Sequence, residues 1–92
     1  MTPDDARLRR KEVELGSEAT RIIESQLWQT AYEKLARELN ESMLSSTSDD
    51  DETLEYKRQL LALHRVKRHM EQAILTGQMA SQQLEEASSG KH

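Results

Sequence analysis

Residues 55–86, EYKRQLLALHRVKRHMEQAILTGQMASQQLEE, decide the fold. Tyr56, Leu63, Met70, Gly77 and Leu84 recur every seven residues, and Val66, Ala73, Ala80 and Ala87 follow three residues after four of them. Alternating three-four spacing marks one face of a helix that packs on another helix, whereas a strand would alternate every two. Gln59 is the one member of the series out of character, and Leu60, Ile74 and Leu75 flank it. No proline interrupts, so a single helix is expected from about residue 49 to about residue 87. Residues 88–92 lack periodicity and are expected to form a disordered tail.

Upstream, Ser45, Ser46, Thr47 and Ser48 precede Asp49, Asp50, Asp51 and Glu52. Residues 45–48 read as a loop. The acidic run suits the start of the next helix, where side-chain oxygens cap free amides and the helix dipole favours anions. The spaced ligands and central glycine of a calcium loop are missing.

The first helix is expected over residues 3–44. Thr2 is placed to cap it, Pro3 suits its first position, and Asp4 and Asp5 complement the dipole. Leu15, Ala19, Ile23, Leu27, Ala31, Leu35, Leu39 and Met43 recur every four residues, and Ile22, Trp28, Tyr32 and Ala36 widen the row. Such a row drifts around a straight helix by about 40° per step. Gly16, unfavourable by about 1 kcal/mol relative to alanine, either kinks this helix or divides it into a short first and a longer second helix.

The fold class is therefore all-α: an antiparallel hairpin of two long helices with coiled-coil-like packing, one domain over residues 1–87. The expected seam comprises Leu15, Ile23, Leu27, Trp28, Tyr32, Leu35 and Leu39 on the first helix. On the second it comprises Tyr56, Leu63, Val66, Met70, Ala73, Gly77, Ala80 and Leu84. With the loop centred near Thr47, Tyr32 falls near Leu63, Trp28 near Val66, and Gly16 near Gly77. Leu44, Leu61 and Leu75 are left over and are assigned to a partner.

Composition supports this reading. Ala, Glu, Lys, Leu and Arg make up 45 of 92 residues, the proportion of a long-helix protein. Leu, Ile and Val total 17, and Phe is absent. A chain this short buries little apolar surface alone, so missing contacts are expected from other copies or another protein. Cysteine is absent, which excludes disulfides and thiolate-bound zinc. No apolar run approaches the roughly 18 residues of a membrane span. The charged N-terminus is unlike a secretory signal, and a cytoplasmic setting fits best.

Candidate chemistry is sparse. His64 and His69 are five residues apart, about 140° around a helix, and do not share one ion. Lys57, Arg58, Arg65, Lys67 and Arg68 form a basic stretch that could contact nucleic acid, and RLRRK at residues 7–11 forms a second cluster. In the hairpin register that cluster faces Glu85 and Glu86. A net charge of -4 and two long helices, without a helix-turn-helix, disfavour the nucleic-acid reading. Trp28 and Tyr32, one turn apart, read as packing anchors. There is no GxSxG, no P-loop and no cysteine nucleophile, so no enzyme, cofactor, metal or small-molecule substrate is expected.

The stretch 55–86 resembles the C-terminal half of small helical proteins encoded in the structural gene cassettes of tailed bacteriophages. These share a leucine-rich amphipathic helix ending in a Gly-x-x-Ala-x-x-x-Leu step, here Gly77, Ala80 and Leu84. They also carry an upstream aromatic segment, here SQLWQTAYEKLARELNESML at residues 25–44, and an acidic polar loop. The likeness spans residues 20–87. It implies a phage-encoded head, packaging or virion-assembly protein, in host cytoplasm or virion, that self-associates or docks on a larger assembly. The chain is also similar in length and helicity to the oligomerisation parts of small terminase subunits, which leaves a packaging or regulatory factor as an alternative. A small adaptor or inhibitor of a host protein is a third reading.

Overall fold

The computed structural model describes residues 1–45 and 50–89. They form three α-helices: α1 (Pro3–Glu24), α2 (Gln26–Ser45) and α3 (Asp50–Ser89). No strand occurs among the described residues. The expected loop residues Ser46, Thr47 and Ser48, the expected caps at Ser48 and Asp49, and residues 90–92 of the expected tail lie outside the described residues.

The start of α1 follows from its first residues. The Asp5 N–H donates to Thr2 Oγ1 at 3.1 Å, and the Thr2 N–H donates back to Asp5 Oδ2 at 3.4 Å. The Ala6 N–H reaches the Thr2 carbonyl at 3.0 Å. This reciprocal box satisfies amides that the first turn leaves without intrahelical partners.

Three boundaries correct the sequence reading. The helix expected over 3–44 divides after Glu24, and Gly16 lies inside an uninterrupted α1. The break is at Ser25, whose Oγ accepts the Trp28 N–H at 3.2 Å while its carbonyl accepts the Gln29 N–H at 3.1 Å. Ser25 thus caps a new helix. Ser45 is the last residue of α2 rather than the first of a loop. At the far end, Ser88 and Ser89 belong to α3. Ser89 Oγ donates to the Glu85 carbonyl one turn back at 2.9 Å, the local side-chain-to-backbone bond that serine makes within a helix.

The chain forms two compact units that share α3: residues 1–23 with the C-terminal part of α3 from His69, and residues 24–68.

In the first unit the covered positions of α1 are Ala6, Arg9, Glu12, Val13, Gly16, Ala19, Thr20 and Ile23. Those of α3 are Met70, Ala73, Ile74, Gly77, Ala80, Ser81, Leu84 and Ala87. Small residues, Ala6, Gly16 and Ala19 on α1 and Ala73, Gly77, Ala80, Ser81 and Ala87 on α3, permit close backbone approach. A methyl carbon at Gly16 would lie 2.9 Å from the Ala73 carbonyl oxygen and 3.1 Å from Gly77 Cα. One at Gly77 would lie 3.0 Å from the Glu12 carbonyl oxygen. The juxtaposition of Gly16 with Gly77 agrees with the register read from the sequence. Ala19 and Ala80 are buried alongside, Ala80 to 1% exposure.

In the second unit the covered positions of α2 are Ser25, Trp28, Tyr32, Ala36, Leu39, Ser42 and Met43. Those of α3 are Thr53, Tyr56, Leu60, Leu63 and Lys67. Leu39 is the buried apolar side chain here.

Four expected seam residues are exposed instead: Leu15, Leu27, Leu35 and Val66, with Leu27 at 80%. The four-residue row drifts off the covered face, as its pitch requires, and the covered residues of α1 follow three-four steps. Continued through Ser25, the α1 pattern of Val13, Gly16, Thr20 and Ile23 would next cover Leu27. The new cap restarts the phase, and Trp28 and Tyr32 are covered instead. On α3 the covered positions near Tyr56 and Leu63 are Leu60 and Lys67, four residues after each, which leaves Gln59 and Val66 outside.

Candidate interaction site

In the second unit Tyr32 is the centre of a polar and aromatic cluster. Its ring lies 5.9 Å from that of Trp28, tilted by 32°, and 5.9 Å from that of His64, tilted by 46°. Its hydroxyl is hydrogen-bonded to His64 Nδ1. Lys67 Nζ sits 4.8 Å from the Tyr32 ring centroid, where the negative face of the ring attracts a cation. Trp28 therefore packs on Tyr32, and Tyr32 on His64 and Lys67 of α3. Lys67, grouped by sequence with the other basic residues, is half-buried over a tyrosine.

The remaining four cations of that stretch are exposed: Lys57, Arg58, Arg65 and Arg68. Arg58 has Glu55 at 3.8 Å, with both side chains more than half exposed. Such a pair contributes little. The N-terminal basic cluster behaves differently. Arg7 pairs with Asp4 at 3.1 Å, and the half-buried Arg9 pairs with Glu12 at 2.5 Å. Arg9 and Glu86 line one open hollow at the end of the first unit, but the ion-pair partner of Arg9 is on its own helix.

The three leucines assigned to a partner are exposed, Leu44 most of all at 86%. The sequence reading missed two further features. Leu8, Leu15 and Ile22, seven residues apart on α1, are all about half exposed. Leu54 is exposed one heptad before Leu61 on α3. Seven-residue spacing signals both rows, but each stands beside a better-matched row that absorbs the attention.

Two ionisations are shifted. Hydrogen bonding from Thr2, through its side chain first and its backbone N–H second, holds the Asp5 carboxyl below its ordinary value. The Tyr56 hydroxyl donates to Glu52 Oε1 at 2.9 Å, and this bond, followed by the Glu52 charge, raises the Tyr56 ionisation. Both groups are at the surface.

Among the described residues no group of three or more His, Asp or Glu side chains is placed to hold a metal ion. No helix among them is long and apolar enough to cross a membrane. Comparison of the chain with protein families, with curated proteins and with solved structures finds no match.

Proposed function

We propose that this chain is a non-enzymatic interaction protein that acts through helix–helix contacts, either self-associated or docked on a larger assembly. In this reading the helices pack as an antiparallel hairpin with a coiled-coil-like seam. The carrying observation is an imbalance of apolar surface. The buried hydrophobic side chains are Ala19, Leu39 and Ala80, while twelve large apolar residues of the described chain are exposed. Several of these lie in seven-residue rows, the spacing at which a helix meets another helix. Stable folding of so short a chain requires more burial than three such residues supply.

The resemblance of residues 20–87 to small helical proteins of tailed-phage structural cassettes supports a phage assembly role, in host cytoplasm or virion. Light scattering and sedimentation at several concentrations test the proposal. We expect a mass above that of the monomer, or a stable complex with a neighbouring structural protein. A well-folded monomer at every concentration that binds nothing in a phage lysate overturns it. A portal or capsid gene beside the coding sequence would support the phage assignment, and its absence would count against it.

A further inference from the structure

The outward face of α3 in the second unit carries leucine and arginine in three-four steps: Leu54, Arg58, Leu61, Arg65 and Arg68. All five are exposed, as is Lys57 beside them. The residues form a second seam on a helix whose other side, at Tyr56, Leu60, Leu63 and Lys67, is covered. Arg65 and Arg68 make no ion pair among the described residues, and Arg58 has only the loose contact with Glu55. Leu61 stands between Arg58 and Arg65 at 54% exposure.

We propose that this face docks an acidic amphipathic helix of a partner protein. Its carboxylates would pair with Arg58, Arg65 and Arg68, and its apolar side chains would seat on Leu54 and Leu61. The proposal rests on the interaction function above and names the chemistry of one partner. Charge complementarity selects the occupant. A second copy laid symmetrically on this seam would set arginines against the same arginines, a like-charge juxtaposition that opposes docking. A nucleic-acid backbone would satisfy the cations but leave the interposed leucines against phosphates, with no apolar surface to cover them. A helix with leucine and glutamate on one face meets both kinds of side chain. Arginine suits such a contact, because its planar fork binds carboxylates through two parallel hydrogen bonds. From Leu54 to Arg68 the seam runs about four helical turns, enough for a helix-in-groove contact.

Fluorescence anisotropy with the full chain at low salt tests this. The probe is a labelled helical peptide of about three heptads with leucine and glutamate on one face. A twin carries glutamine in place of glutamate, and a short duplex DNA serves as the alternative ligand. We expect saturable binding of the glutamate peptide, weakened about tenfold or more in the twin, in R65E/R68E and in Leu61→Asn. These substituted side chains are exposed, so circular dichroism should match the parent. Equal binding of the two peptides overturns the proposal. So does loss in R65E/R68E with Leu61→Asn unaffected, or tighter binding to the duplex than to the peptide. Sedimentation of the same samples separates the two levels. Self-association without peptide binding sinks this proposal alone, whereas a monomer that binds no peptide and nothing in a phage lysate sinks both.

Discussion

Gly16 of α1 and Gly77 of α3 meet so closely that a methyl group on either would press on the opposite backbone. The nearest atoms are a carbonyl oxygen and a Cα, which cannot swing aside as a flexible side chain would. Gly16→Ala gains about 1 kcal/mol of helix propensity. Overpacking at a backbone contact opposes this by about 1–3 kcal/mol. We expect both Gly16→Ala and Gly77→Ala to lower the melting temperature measured by circular dichroism. A rise in either would show that the contact is not tight in solution.

Bulk at the same place should be worse. Gly77→Leu forces the two backbones apart, whereas Gln59→Leu alters an exposed position and should change stability by no more than about 0.5 kcal/mol. Comparable melting temperatures for the two variants would contradict the packing described for α1 and α3.

The Ser25 cap makes a separate prediction. Ser25→Ala removes the acceptor for the Trp28 N–H and should cost about 1 kcal/mol. Alanine also favours a helix that runs through this point and so misplaces Trp28. Trp28 is the only tryptophan, so its emission reads the change directly. An unchanged spectrum and melting curve would remove Ser25 as the cause of the break.

Tyr32 joins Trp28, His64 and Lys67, and its two functions separate by substitution. Tyr32→Phe retains the ring under Lys67 and loses the bond to His64, at a cost of about 0.5–1.5 kcal/mol. Tyr32→Leu loses the ring contacts as well, by a further 0.5–1 kcal/mol or so. A double-mutant cycle with Lys67→Met isolates the cation–ring contribution. Additive effects of the two substitutions would deny that contact an energetic role.

The shifted ionisations give opposite pH limbs. Asp5 titrates lower when folded, so its contribution is present above the unfolded carboxylate range and is lost as pH falls through the folded value. Tyr56 titrates higher, so its contribution is present below the ordinary value of 10.0 and is lost as pH rises through the folded value. Asp5→Asn should flatten the acid limb of stability, and Tyr56→Phe the alkaline limb. A Tyr56 absorbance titration at or below pH 10 would refute the second statement.

Much of this architecture was legible in residue spacing. The helical class, the Thr2 cap, and the facing of Gly16 and Gly77 follow from local chemistry and from a register that two long helices constrain. The Ser25 break was not legible, because neither proline nor glycine marks it and the third residue of the new helix is Trp28 rather than an acid. The seam of the second unit was misread where apolarity alone chose between neighbours. Apolarity favours Val66 for the covered face, yet Val66 is exposed and the Lys67 ammonium lies over the ring of Tyr32. The outward seam of Leu54, Arg58, Leu61, Arg65 and Arg68 was partly visible as a charge run. Leu61 stands out in the sequence only as an unmatched apolar position and Leu54 not at all, so the combined row of leucines and arginines is not legible there.

The uninterrupted course of α3 has a thermodynamic consequence. One helix of 40 residues contributes to both units. Helix propagation is cooperative, and a helix end that frays draws on the same chain of hydrogen bonds throughout. Amide hydrogen exchange along α3 should therefore report one shared opening free energy through residues 60–80 rather than two plateaus. A single peptide-bond cleavage near His69 should then split that opening along α3 into two.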